Sequence, residues 1–373
     1  MAEEEKVLQS PLHARHVAAG AVMGSEAGWA MPLSYQGVMV ECHAARTRAG
    51  IFDVSHIGRI RIRGDEALGL LERVCTADVV HQEDDTALQT LMCNKRGGII
   101  DQCFCLRLEN FWLITTSPMN RGKVLEHLQR VGKGMDATVD DQTEKTAQVC
   151  VTGPAAARIL DKVLPEKPSA LGPGAARVGT LMIARYIAMR TGYSGQWSLE
   201  VVLPNMVAGQ AWDFITRKAG ENNIPPAGLA ARDVLRIEAG LPRYGHELNE
   251  TIDPITAGLE SAVDFERDFI GAEVLHTLRQ KAPARRRAGL VMAVPAKSQP
   301  PSIPRMGAPV RRTEGSEVGT VTSGTFSPTR NAAIALAYLA PDAAEIGTEL
   351  LVGTEGKPQP AGVVALPFYG SGE

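Results

Sequence analysis

Four prolines fall within Ala293–Gly307, "AVPAKSQPPSIPRMG". No helix or strand ladder runs through such a stretch, because each proline fixes φ and removes a backbone donor. The 373-residue chain is therefore divided there. After the break come short apolar runs parted by turn signals: "EVGTVTSGTFS", "AAIALAYLA", "TELLVG" and "AGVVALPFY". They predict a small β-rich module, a barrel or a sandwich. Before the break, helices and strands mix without an internal repeat. Leu164–Gly179, rich in Pro and Gly, reads as a long connection. Pro154 stands near a helix start in "GPAAARILDKVL". "PAGLAARDVLRIEAGLPRYG" reads as an amphipathic helix. Ala230, Val234, Ile237 and Leu241 share one face, Arg232 and Arg236 lie roughly opposite, and Gly240 and Pro242 end it. The expected class is α+β with a β-module at the end, at a length that suits two or three domains.

"LQTLMCNKRGGIIDQCFCLRL" reads as two strands joined by a glycine-containing turn. On the second strand Asp101, Cys103, Cys105 and Arg107 share one face, and Ile100, Gln102, Phe104 and Leu106 the other. Aspartate is poor in strands, so Asp101 needs a reason. One is an aspartate that bonds a turn backbone. The other is a carboxylate projecting into a ligand cavity, with the turn glycines letting the backbone fold tightly beside the ligand.

Composition narrows the functional classes. Net charge is −3 and aromatic residues make up 5%, which argues against nucleic acid as a partner. Six cysteines show no C-x-x-C spacing and no accompanying His cluster, so no metal site is expected, and reduced buried thiols are the reading. The acidic "MAEEEKVLQS" fits neither a signal nor a transit peptide. No apolar run is long enough to cross a bilayer. A cytoplasmic location without membrane contact is the expectation. A P-loop, a G-x-S-x-G elbow, H-E-x-x-H and a G-x-G-x-x-G fingerprint are all absent.

Eight stretches read together are more specific. "GWAMPLSY", "AGIFDVSHIGRIRIRG", "NKRGGIID", "RTGYSG", "GLAARDVLRIEAGLPRYGHEL", "RDFIGAEVL", "VGTVTSGTFSPT" and "LPFY" occur in one order from Gly28 to Tyr369. That order closely resembles the T-protein of the glycine cleavage system, an aminomethyltransferase family. The resemblance covers about Leu12 to Tyr369. It implies a three-domain cloverleaf around a central folate cavity, closed by a C-terminal β-barrel. The implied boundaries are 1–54 with 148–250, then 55–147 with 251–285, then 286–373. Tetrahydrofolate would accept the methylene carbon from the aminomethyl-lipoyl arm of H-protein, with release of ammonia. A monomer that meets H-protein transiently is the expectation. Another tetrahydrofolate-dependent one-carbon transferase, such as an O-, N- or S-demethylase, is the alternative. A non-catalytic folate-binding iron–sulfur assembly factor is a third, which the lack of any cysteine after Cys150 opposes.

The resemblance also implies roles. Asp101 matches the family's catalytic aspartate in "GG-x-x-D", and Gln102 stands where relatives often carry a second acid. Glu200 matches the glutamate that grips the pterin edge, where a carboxylate suits paired donors. Tyr193 matches a tyrosine that stacks on folate. Arg232 matches the arginine that meets the folate's glutamate tail or benzoyl carbonyl. Tyr369 matches a tyrosine reaching back from the third domain. Ser117 occupies the place of an asparagine that contacts the pterin and replaces only part of its hydrogen bonding. Gln196, Trp197 and Ser198 depart from the family's Glu-Asp-Gly, so a loop of different shape is expected. Three further readings come from the residues themselves. His56 reads as a histidine organising a domain junction by hydrogen bonds, Arg236 as a structural partner of Asp233 or of a carboxylate across an interface, and Lys281–Gly289 as a solvated basic run.

Overall fold

The strands of the described residues form two five-stranded antiparallel sheets, a closed six-stranded barrel and a three-stranded N-terminal sheet. The structure, a computed structural model, describes residues 7–181, 183–293, 302–353 and 358–369. Residues 294–301 of the proline-rich break lie outside the described residues. The class is α+β, with the barrel where the sequence predicts a β-module.

The first large sheet runs in the order Ala176–Leu181, Ala184–Arg190, Ser198–Pro204, Thr146–Thr152, Gly50–Asp53. Alternate residues Val149, Val151, Leu199, Val201 and Leu203 face the helix Asn205–Gly220 and bury Trp212 and Ile215. The second runs Thr86–Cys93, Ile99–Leu108, Phe111–Thr116, Gly58–Arg63, Thr138–Asp141. Helices Ala67–Val74 and Arg121–Val131 lay Leu70, Leu71, Val124 and Leu128 on Cys103 and Cys105. Each fully buried aliphatic side chain contributes about 1.5–3 kcal/mol.

The chain crosses between these sheets twice, at 54–57 and at 142–145. Arg59 ties the crossings together. Its fully buried guanidinium donates to the carbonyls of Ser55 (3.1 Å), Thr146 (3.0 Å) and Thr143 (2.5 Å), and to that of Ile57. Burial depresses its pKa, since no carboxylate is bonded to it among the described residues.

In the barrel strand Ala332–Leu339, Ala333, Ala335, Ala337 and Leu339 point inward. Ile334 and Leu336 point out and pack on Ile237 and Phe368. This seats the barrel against the helix Leu229–Glu238, which ends as the sequence predicts. Gly240 takes φ +67°, and the Leu241 and Gly240 amides bond the carbonyls of Arg236 and Ile237. The opposite, arginine-bearing face of that helix is not solvated. Arg236 is fully buried, bonded to Asp233 (2.9 Å), Glu247 (2.9 Å) and Ser323 of the barrel (2.8 Å). The basic run at 281–289 is likewise partly structural: Arg287 bonds the carbonyls of Ala257 (3.0 Å) and Gly240.

The turn of the Asp101 hairpin also differs from expectation. A Cβ at Gly98 would run into the Glu250 carbonyl oxygen, which Asn94 Nδ2 already bonds at 3.0 Å. The glycine serves a close approach of two backbone segments, not of a ligand.

Candidate active site

A cavity of about 370 Å³ opens where the two large sheets, the N-terminal sheet and the helix Leu229–Glu238 meet. That is within the size range of small-molecule sites, roughly 300–1,000 Å³. Among the six residues singled out from the sequence, Glu200, Arg232, Tyr193 and Ser117 line it. Asp101 and Tyr369 do not.

Glu200 lies on a central strand of the first sheet and is buried. One of its oxygens accepts from Gln148 Nε2, the other from Arg232 Nη2 at 3.3 Å and Thr191 Oγ1 at 3.4 Å. Arg232 lies with its guanidinium 3.6 Å from the centroid of the Tyr193 ring. Burial works against its charge, and Tyr193 and Glu200 more than offset this. Arg232 Nε is buried with no partner among the described residues. The cluster thus offers a carboxylate with spare acceptor capacity, a cation and an aromatic group.

Asp101 requires a correction. It is 0% exposed, on the strand face covered by the helices Ala67–Val74 and Arg121–Val131. Its oxygens accept from the Ser117 amide (2.8 Å) and Asn120 Nδ2 (2.9 Å). Burial pushes its carboxyl above the ordinary range despite those bonds. The residue of this strand that reaches the cavity is its neighbour Gln102, with Phe104 two positions on. The two faces separate as alternation predicts, but the cavity lies against the other one. Asp101 instead fastens Ser117–Asn120, whose Ser117, Pro118 and Met119 form cavity wall.

Tyr369 requires a second correction. Its amide bonds the Glu238 carbonyl at 2.9 Å and its ring lies 4.1 Å from the Arg46 guanidinium. Arg46 in turn bonds Glu238 at 2.8 Å and Gln196 at 2.9 Å. Tyr369 is held on this pair and does not line the cavity. Gln196, Trp197 and Ser198 do not line the cavity either. Trp197 packs on the first core, and Ser198 Oγ lies 2.7 Å from Thr152 Oγ1.

Sequence reasoning missed Glu26 and Arg243, an ion pair on the cavity wall formed across 217 positions. No local pattern signals it. Asp233 also lines the cavity. Burial raises its pKa, but Arg236 and Arg243 outweigh this and hold it below the usual range. His56 lines the cavity too, and its ring forms no hydrogen bond among the described residues. It does not organise the junction in the way expected. Burial, then the nearby Arg232 charge, push its pKa down to about 3. No group of three or more potential metal-ligating side chains occurs among the described residues. No helix there is long and apolar enough to cross a membrane.

Comparison with known proteins agrees with this architecture. The family model described as the GCVT N-terminal domain matches residues 12–267. That of the glycine cleavage T-protein C-terminal barrel domain matches 285–370. An aminomethyltransferase of Rubrobacter xylanophilus is 37% identical over 363 residues, covering 97% of this chain and 94% of that protein. One from Geobacillus kaustophilus is 37% identical over 365 residues, covering 97% and 98%. The crystal structure of glycine cleavage system aminomethyltransferase T from Bartonella henselae superposes with a TM-score of 0.89 at 30% identity, covering 98% of each chain.

Proposed function

The chain belongs to the glycine cleavage T-protein family, and from that premise we propose how its cavity serves aminomethyl transfer. The protein is an aminomethyltransferase, and the family uses tetrahydrofolate as the one-carbon acceptor. Tetrahydrofolate, when bound, supplies the nucleophilic N5 that takes the methylene carbon while ammonia leaves.

The Glu200–Arg232–Tyr193 cluster carries the reading of where folate sits. Glu200 would accept from the paired donors of the pterin edge. Arg232 would offer its guanidinium to a carbonyl or carboxylate of the ligand, and its 3.6 Å contact with Tyr193 fixes the plane of that fork. Ser117 would supply a hydroxyl at the wall. Asp101 acts at one remove, as a positioning residue that holds the Ser117 backbone.

The residue presented at the strand's cavity face is the neutral Gln102. The carboxylates Glu26, Glu200 and Asp233 on the wall are each paired with an arginine. This favours catalysis mainly by placing the two reactants at reactive distance, worth roughly 7–11 kcal/mol in well-oriented systems. Keeping water out is the walls' second contribution, because an iminium-like intermediate would otherwise hydrolyse. The partner proposed is lipoylated H-protein, its arm entering past Met119, which is 59% exposed and borders the cavity with Pro118 and Tyr244.

The test is direct. Purified protein should bind tetrahydrofolate, and aminomethyl-loaded H-protein should then yield methylenetetrahydrofolate and ammonia. Folate binding without turnover of that donor would remove the H-protein assignment. Absence of folate binding would remove the cavity assignment.

A further inference from the structure

His56 sits in the turn between Gly50–Asp53 of the first sheet and Gly58–Arg63 of the second, on the wall of the cavity. Its residue is 4% exposed. Its Nδ1 is sealed from solvent, and among the described residues neither Nδ1 nor Nε2 has a hydrogen-bond partner. Arg232, whose charge acts on the ring, leaves its own Nε in the same condition on the same cavity. Buried polar groups are nearly always paired in folded proteins. Both orphans are sealed, so the ring atom of His56 left to meet a polar ligand in the cavity is Nε2.

The tautomer follows from which nitrogen is sealed. A neutral imidazole carries one donor and one acceptor. Placing the proton on Nδ1 would bury an N–H with nothing to receive it, and orphaned buried N–H groups are rarer than under-satisfied acceptors. The proton therefore belongs on Nε2, the nitrogen left to face the cavity. Burial and the Arg232 charge keep the ring neutral through the working pH range.

We propose that His56 is a further ligand-contacting residue of this cavity, donating a hydrogen bond from Nε2 to an acceptor atom on the bound pterin beside Arg232. This rests on the folate reading above. It makes His56 a specificity determinant. A ligand whose ring presents a donor at that point would meet a second donor, and would be rejected.

Two measurements on the full chain test it. The first is 15N NMR of histidine-labelled protein titrated with tetrahydrofolate. The expected result is an Nε2–H tautomer for His56 and an Nε2 resonance that moves on binding. The second is the folate dissociation constant of His56→Phe and His56→Gln. Phenylalanine keeps the ring's bulk without nitrogen, and should weaken binding about 10- to 100-fold. Glutamine places an amide N–H near the Nε2 position, and should bind within about 3-fold of the wild type, a difference under 1 kcal/mol. A His56 resonance unmoved by folate that binds the wild type overturns the proposal, as does full affinity in His56→Phe. Should His56→Phe not fold, the NMR titration of the wild type decides alone. Failure of the wild type to bind tetrahydrofolate overturns the folate reading itself, and this proposal with it.

Discussion

Asp101 and Gln102 are chain neighbours that look in opposite directions: the carboxylate is sealed behind the sheet with its oxygens on Ser117 and Asn120, while the amide forms cavity wall. Substitution should therefore separate stability from binding. Asp101→Ala leaves the Ser117 amide without its acceptor and takes one of two from Asn120 Nδ2, which keeps the Ile100 carbonyl, at about 1–3 kcal/mol for each unsatisfied group. The expected loss is about 2–4 kcal/mol in urea unfolding. Gln102→Ala should leave the unfolding midpoint nearly unchanged and alter folate affinity or turnover instead. Equal stability of Asp101→Ala and wild type would contradict the positioning role.

Gln102 also invites the reverse experiment. Relatives often carry an acid at this position, and here the strand presents an amide to the cavity. Gln102→Asp would introduce a proton acceptor that is not paired with an arginine. Positioned acid–base groups contribute about 10²–10⁴-fold in rate. We expect a higher kcat with a new acidic limb in its pH profile. A flat profile with unchanged kcat would mean that proton transfer at this wall does not limit the reaction.

Arg232→Lys keeps a charge but removes the planar fork and the stack on Tyr193. Folate affinity should fall about 10- to 100-fold, the range for loss of a charge-assisted contact in a desolvated site. Isothermal titration reads it directly. Unchanged affinity would place folate away from the Glu200–Arg232–Tyr193 cluster.

Arg59 holds both crossings between the large sheets through backbone carbonyls. Arg59→Met fills similar volume but leaves those carbonyls unpaired in a buried junction. A loss of at least about 3 kcal/mol in denaturant unfolding is expected. A midpoint within error of wild type would show that water or relaxation satisfies the carbonyls.

Much of this was legible in the sequence, for identifiable reasons. The proline-rich break and the short apolar runs after it marked the barrel, because strand period and turn residues are local signals. Tyr193, Glu200, Arg232 and Ser117, singled out through motifs whose spacing survives in this chain, all line the cavity. The orientation of Asp101 was not legible. Alternation separates the two faces of Ile99–Leu108, but only the helices that cover one of them decide which face meets the cavity. Tyr369 was misjudged for a related reason: where the tail crosses the molecule depends on Arg46 and Glu238, far off in sequence. The Glu26–Arg243 pair joins the N-terminal sheet to the segment after the helix Leu229–Glu238, and only the assembled fold brings the two together.

The neutral state of His56 has a consequence for acid stability that is independent of any ligand. Its folded pKa is depressed to about 3 from 6.5, by burial first and then by Arg232, with Arg59 and Arg243 acting in the same sense and Asp53 opposing. Above about pH 6.5 the ring is neutral in both folded and unfolded chains and costs nothing. As pH falls below that, the unfolded chain takes up a proton that the folded chain refuses, so stability declines until the folded ring also titrates. The slope from one such group is at most about 1.4 kcal/mol per pH unit. His56→Gln cannot titrate and should lack this share of the decline. Urea unfolding at pH 7 and pH 5 gives the comparison, with the wild type expected to lose roughly 1–2 kcal/mol more than the variant. Equal losses would mean that the folded ring accepts its proton as readily as the unfolded one, and that His56 is not held neutral by the cavity wall.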